Sequence, residues 1–301
     1  MAPRQHVECC PMNRSGIVTV ATGHKNYLSL ATDLALSVQA NSAHPISLLL
    51  EPGFAHFRQT PEARFFDQIV DLPHDALGRN LSKLYTAELS PYDVTIYLDA
   101  DTLVTAPMRD VFARLLQEPA GYLLQGTYLS DHVQEIHNRH NTAELCRRFA
   151  VPRYLKANTG IMGFRKREGT HIQAHVRAFA TANPDLRPVA ALPWISDELC
   201  FALCADQLGI RTFEPDQPMY WRMSDIGSEP PSKVVHAIFP DARSLSWLLA
   251  YVGHLRRLNN LSPRKGQVAW LRKVLGLRGL PQLPGLALSL ARRVGSNQSL
   301  V

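Results

Sequence analysis

Thr95-Ile-Tyr-Leu-Asp99-Ala-Asp101-Thr-Leu-Val104 runs a short apolar stretch into two carboxylates separated by a single alanine. An apolar run ending in acids suits a buried strand, and open α/β sheets place their ligands in the crevice beyond the carboxyl ends of the strands. Two carboxylates held close together resist joint ionisation. A hard cation such as Mn²⁺ or Mg²⁺ relieves that repulsion and keeps coordination positions open for phosphate oxygens. On these ten residues alone, a strand running into an acidic turn fits equally well, so the neighbouring sequence has to decide.

Working outward, Gly16 to Thr22 reads as a first strand. Asn26 to Ala40 reads as a helix whose apolar face is Leu28, Leu30, Ala31, Leu34, Ala35 and Val38. Ser47 to Glu51 and Gln68 to Leu72 read as short strands with a helix over 61–67 between them, and a helix over Asn80 to Leu89 leads through Ser90-Pro91-Tyr92-Asp93 into the strand ending at Asp99. Further strands are predicted at Gly121 to Gly126, Tyr154 to Phe164 and Val234 to Ile238, with a helix over Ser196 to Leu208. Alternating strands and helices predict an α/β fold with a mixed, mostly parallel sheet flanked by helices. The expected division is a disordered leader over 1–15, a catalytic domain over 16–241 and a basic helical tail over 242–301.

The 301 residues are enough for a full core without disulfide or metal staples. Five cysteines form neither an even secreted framework nor a paired zinc pattern, and Cys200 and Cys204 read as small core hydrophobes. No stretch approaches the length of a membrane-spanning helix, and the first residues lack both a signal-peptide core and a myristoylation glycine. The expected location is therefore cytoplasmic. Charge is distributed unevenly: ten of the 32 Lys and Arg, and none of the 26 Asp and Glu, lie between Ala242 and Val301. The rest of the chain is net acidic, so the two regions are expected to face different partners.

Four segments, in order, resemble glycosyltransferase family 8, the family of glycogenin and bacterial lipooligosaccharide galactosyltransferases. They are Ala21 to Tyr27, Lys83 to Val104, Asn158-Thr-Gly-Ile-Met-Gly163, and Ser196-Asp-Glu198 followed by Val234-Val-His236. The resemblance spans roughly residues 16 to 240. It implies a GT-A (Rossmann-like) fold and a retaining transfer of a hexose from a nucleotide diphosphate sugar, UDP-sugar favoured, to a hydroxyl acceptor on a glycan, a lipid-linked sugar or another molecule. By match to the family motif, Asp99, Asp101 and His236 hold the metal, Mn²⁺ or Mg²⁺. Lys83, Asn158 and Gly160 contact the donor, and Thr22 and Tyr27 contact its base. Asp197 and Glu198 are the residues implied to face the reacting sugar. The chemistry is coherent, because a departing nucleoside diphosphate builds charge that a cation stabilises, while an anion beneath an oxocarbenium-like centre stabilises the sugar.

The match has departures. Glu198 stands where the family usually has glutamine, Gly23 and His24 stand where it has an aspartate in the base-contacting segment, and the lysine it carries after the metal histidine is missing. Arg243 is the only nearby cation that could replace that lysine. His132, His137 and His140 lack zinc-helix spacing and read as a polar surface helix.

Leu271 to Leu280 and Leu283 to Val294 mix leucines with cations and contain no acids. Such segments suit either an interfacial helix on an anionic membrane, giving peripheral attachment, or a cap packed on the catalytic domain. With few aromatics and no recognisable motif, nucleic acid is not an expected partner. Two other functions fit parts of the sequence. Leu98 to Val104 also matches the first motif of haloacid-dehalogenase-like phosphatases, with Asp99 as nucleophile, and a sugar-binding or scaffold protein without catalysis fits the same fold.

Overall fold

The structure, a computed structural model, describes residues 14–73, 81–130, 134–137, 140–186, 196–220, 233–236 and 242–274. Its strands are β1 (Ser15–Ala21), β2 (Ile46–Leu50), β3 (Ile69–Asp71), β4 (Val94–Leu98), β5 (Thr102–Val104), β6 (Tyr122–Ser130), β7 (Ile136–His137), β8 (His140–Asn141), β9 (Arg153–Arg165), β10 (Arg211–Thr212), β11 (Met219–Tyr220) and β12 (Val234–His236). Its helices are α1 (Asn26–Asn41), α2 (Thr86–Leu89), α3 (Arg109–Gln117), α4 (Thr142–Phe149), α5 (Lys166–Ala182), α6 (Asp197–Cys204), α7 (Ala242–Leu258) and α8 (Pro263–Val274).

Seven strands form one sheet in the order β10-β6-β9-β4-β1-β2-β3. The pairs β4-β1, β1-β2, β2-β3 and β10-β6 are parallel, whereas β9 runs antiparallel to both β4 and β6. This is the mixed, mostly parallel sheet flanked by helices that a GT-A fold requires. Both faces are buried, and the period-two alternation of strand side chains divides them. Ile17, Leu48, Leu50, Ile96, Leu98 and Leu123 point into one core with α1, α3, α7 and α8. Val18, Val20, Leu49, Tyr97, Leu124 and Met162 point into the other, which α5 and α6 cover.

The chain runs outward from β1 through β2 to β3, then returns to place β4 on the other side of β1. That reversal opens a crevice at the carboxyl ends of β1 and β4, the position where doubly wound sheets bind ligands. Thr22 follows β1, and Asp99 follows β4. A second sheet of three strands, β11-β12-β5, lies beyond: β5 resumes directly after Asp101 and pairs antiparallel with β12, matching Thr102 to His236. The stretch 95–104 is therefore two strands with a turn between them, and the two acids occupy the turn.

Of the helix predicted over 61–67, only Pro61–Phe65 is helical, as a 3₁₀ turn. Of the one predicted over Asn80 to Leu89, the described part from Leu81 is helical throughout, with a 3₁₀ turn, Ser82–Tyr85, leading into α2, and Asn80 lies outside the described residues. The polar surface helix expected around the histidines is instead, in its described part, a small antiparallel ladder that pairs His137 with His140. His137 is buried there because its Nδ1 meets the Tyr154 hydroxyl at 2.8 Å. His132 lies outside the described residues.

The described part of the basic tail packs on the body. Trp270 and Arg256 are fully buried, and both meet Asp33 of α1: Trp270 Nε1 donates to Oδ2 at 2.9 Å, and Arg256 Nε to Oδ1 at 2.5 Å. Leu248, Leu249, Val252, Leu255 and Leu271 join the same core as α1. Leucine-rich residues 275–301 lie outside the described residues. Among the described residues, no helix is long and apolar enough to cross a membrane.

Candidate active site

β9 pairs with β4 and carries two of the predicted residues, Asn158 and Gly160. Along the β6-β9 ladder, the partner of Leu124 is Met162 while the partner of Gln125 is Asn158, so Thr159, Gly160 and Ile161 stand out of that ladder as a bulge. Bulges re-aim side chains next to functional sites. Here the bulge turns Asn158, Thr159 and Gly160 toward Asp99, whose backbone N–H donates to the Gly160 carbonyl at 2.9 Å. Asn158 Oδ1 accepts the Gly160 N–H at 2.8 Å and so fixes the side-chain amide. Gly160 is required by close approach, since a Cβ there would lie 2.9 Å from the His236 ring.

Lys83 joins the two halves of the site. Its Nζ lies 3.1 Å from Asp99 Oδ1, 3.0 Å from Asp197 Oδ2 and 3.2 Å from Thr159 Oγ1. Thr159 in turn donates to Asp197, at the start of α6, and the Tyr97 hydroxyl donates to Asp99 Oδ1 at 2.5 Å. Burial alone would lower the Lys83 pKa, but the Asp197 and Asp99 carboxylates outweigh it and hold the ammonium well above its ordinary value. The Tyr97 hydroxyl is pushed well above its own by burial and by Asp99. Lys83 thus stays a cation and Tyr97 a neutral donor.

Asp101 faces away from Lys83, toward β12 and α8. His236 Nε2 lies 3.3 Å from its Oδ1, and the Lys273 ammonium of α8 pairs with its Oδ2. Burial favours the neutral acid, but Lys273 and His236 overcome it and hold the carboxyl well below the usual range. Donor atoms of Asp99, Asp101 and His236 all lie within 4.8 Å of one another. His236 Nδ1 is buried and has no hydrogen-bond partner among the described residues. Two carboxylates and an imidazole are ordinary ligands for Mn²⁺ or Mg²⁺, so the donor set fits a divalent cation.

The other predicted residues lie around this centre or apart from it. Thr22 Oγ1 donates to Glu51 Oε2 at 2.8 Å, and the Gly23 N–H donates to the same oxygen. The Tyr27 ring lies 5.8 Å from the Lys273 ammonium, at the edge of the site. Glu198 is separated from the Lys83 cluster by its direction: its carboxylate lies 3.8 Å from His137 Nε2. Arg243 belongs to the first turn of α7, and its side chain lies outside the described residues. Cys200 and Cys204 are buried in α6, and burial pushes both thiols up, Cys204 to about 12, as suits packing groups.

Sequence reasoning missed Tyr97, Thr159, Glu51 and Lys273. Tyr97 was legible in retrospect, because residues two apart on a strand share a face and Tyr97 precedes Asp99 by two. Thr159 stood between two residues already singled out. Lys273 carried no local signal, since it reaches Asp101 only because Trp270 and Ala269 seat α8 against α1.

No family profile matches the sequence, and no curated protein does. Among solved structures, the chain is similar to the glycosyltransferase GlyE of Streptococcus pneumoniae TIGR4, with TM-score 0.47 and 15% identity over 76% of this chain and 55% of GlyE. It is also similar to the galactosyltransferase LgtC in complex with donor and acceptor sugar analogues, with TM-score 0.47 and 13% identity over 75% of this chain and 87% of LgtC. Mouse xyloside xylosyltransferase 1 gives TM-score 0.46 and 12% identity over 74% and 97%. This chain thus spans just over half the length of GlyE. At these identities the likeness concerns the fold.

Proposed function

We propose that the chain is a metal-dependent retaining glycosyltransferase that moves a hexose from a nucleotide diphosphate sugar, UDP-sugar favoured, to a hydroxyl acceptor. The observation that carries this reading is the convergence of Asp99, Asp101 and His236 at the crevice between β1 and β4. The cation they would hold, Mn²⁺ or Mg²⁺, supplies Lewis-acid stabilisation to the departing diphosphate. Lys83 offers a permanent positive charge beside the same anion and keeps Asp99 and Asp197 apart. With its oxygen occupied by Gly160, Asn158 presents its NH₂ end to a sugar hydroxyl, and Asp197 presents a carboxylate to the sugar. Thr22 and Tyr27 border the space for the base, and Glu198, which the resemblance places beneath the reacting sugar, has its carboxylate 3.8 Å from His137 Nε2. Lys273 neutralises Asp101 until a cation does so.

The phosphatase reading of Asp99 calls for a lysine downstream in the chain, whereas the lysine against Asp99 is Lys83, upstream. A non-catalytic sugar-binding protein has no use for both acids together with His236. One experiment separates the three. Thermal shift and hydrolysis are measured across a panel of nucleotide sugars with Mn²⁺, for the wild type, Asp99→Asn and Asp197→Asn, with p-nitrophenyl phosphate as a parallel substrate. A donor-specific, Mn²⁺-dependent shift with hydrolysis, absent in folded Asp99→Asn, is expected. Metal-dependent turnover of p-nitrophenyl phosphate alone would establish the phosphatase, and donor binding without any turnover the scaffold.

A further inference from the structure

The acid-free segment after Ala242 is matched only in part by the body it packs on. Arg256 pairs with Asp33, Lys265 with Glu62 and Lys273 with Asp101. Arg264 and Arg272 take no such partner among the described residues. Both line a cavity of 540 Å³ between the start of α1, the 3₁₀ turn Pro52–Gln59 and α8, together with Lys25 and His56. Among the described residues no carboxylate lines it, although Lys265 in its lining is held by Glu62, and its apolar lining is formed by Leu28, Phe57, Val268 and Ala269. Arg272 and Lys273 are neighbours on α8, about 100° apart around the helix axis, so α8 stands between this cavity and Asp101.

We propose that this cavity binds a phosphate ester carrying an apolar group, at a site separate from the Asp99, Asp101 and His236 centre. The cations at the rim are complementary to a dianion, and phosphate recognition by arginine and lysine is charge-assisted. A bare phosphate leaves the apolar lining wet. A volume within the range of small-molecule sites, about 300–1,000 Å³, leaves room for the alkyl or isoprenoid part of an ester. Ser29 in the wall supplies a hydroxyl donor, whereas the hydroxyls of Thr32 and Thr60 donate to the Leu28 and Phe57 carbonyls. The acid-free composition of α8, which the donor chemistry does not use beyond Lys273, is thereby given a role.

The test is calorimetric titration of the full chain with octyl phosphate, inorganic phosphate and octyl glucoside. Arg264→Gln removes rim charge from an exposed position, and Val268→Trp fills the apolar lining; neither touches the Asp99 centre or the base-contacting segment. Octyl phosphate is expected to bind at least tenfold more tightly than either other probe, to weaken at least tenfold in the rim variant and to be lost in Val268→Trp. The thermal shift produced by UDP with Mn²⁺ stays unchanged in both variants. Flotation with phosphatidic acid against phosphatidylcholine vesicles distinguishes the source: cavity-dependent capture by phosphatidic acid assigns a membrane lipid, and octyl phosphate binding without capture assigns a soluble ester. Equal binding of inorganic and octyl phosphate, octyl phosphate binding unaltered in the variants, or its competition by UDP would each overturn the proposal.

Discussion

Asp101 is a buried carboxylate whose charge is balanced by Lys273 and His236, while its partner Asp99 is balanced by Lys83. The two lysines have different futures when a divalent cation enters. Lys83 has Asp197 to fall back on, whereas Lys273 loses the oxygen it holds. Lys273→Met is accordingly expected to raise the Mn²⁺ affinity of the nucleotide-free chain about tenfold, the equivalent of ~1.4 kcal/mol, and to lower the melting temperature of the metal-free chain. In the presence of Mn²⁺ the same variant should bind a nucleoside diphosphate less tightly; Mn²⁺ electron spin resonance and calorimetry read the two effects separately. Gly160→Ala tests His236, the third of the proposed ligands. Its Cβ would meet the His236 ring at 2.9 Å, so the ring must turn aside, and Mn²⁺ affinity should fall at least tenfold with little change in melting temperature. His137 supplies the pH dependence. Burial first, then the charge of Lys156, lower its pKa from 6.5 to about 4, with Glu135 opposing. Between those values the unfolded chain binds a proton that the folded chain refuses, so stability is complete above pH 6.5 and falls by up to about 3 kcal/mol as the pH drops through 4. Denaturant titrations at pH 7 and pH 4.5 measure that loss, which His137→Gln should remove.

At the scale of elements, the strands were the more legible part. β1, β4 and β9 each lie within a residue or two of where the apolar runs and the bounding turns put them, because strands buried on both faces must be apolar throughout. The acids at the end of β4 were legible for the same reason, as polar residues ending an apolar run have to face a crevice. What could not be read was the partner of each polar residue on α1. Asp33 and Ser37 lie outside the apolar face read on that helix, yet both are buried, Asp33 by Arg256 and Trp270 and Ser37 by the Val104 N–H, which donates to its Oγ at 3.0 Å. Those contacts come from elements far along the chain, and no local pattern reports them. The β9 bulge was hidden likewise, since a register shift is a property of two strands together. α8 carries the clearest stability prediction. Trp270→Ala removes a fully buried indole and leaves Asp33 short of a donor, so chemical denaturation should show a loss of about 3–5 kcal/mol. Ending the chain at Leu261 removes Trp270, Ala269 and Leu271 from the core at once, and that truncated form should melt well below the full chain.

For the whole molecule, the sheet order could be anticipated as a class but not as a sequence of strands. Alternating elements imply a parallel sheet, whereas the antiparallel placement of β9 between β4 and β6 depends on which edge the chain returns to. The same limit applies to the tail, whose composition allowed either a membrane helix or a cap; in its described part, Leu248, Leu249, Val252, Leu255, Ala269, Trp270 and Leu271 have joined the core. One feature has a consequence in time. Trp270 and Asp33 are 237 positions apart in the chain, and Asn26 donates to the Ala269 carbonyl across 243. Contacts so distant in sequence form late, and a chain leaving the ribosome amino end first exposes α1 with its acid uncapped until α8 follows. Lys273 arrives with that helix. A growing chain can thus complete β1, β4 and β9 and align Asp99 with Lys83 while Asp101 is still without its lysine. Until α8 closes, Asp101 is a carboxylate beside Asp99 without its ammonium partner, and the docking of that helix removes the imbalance by bringing Lys273 against it.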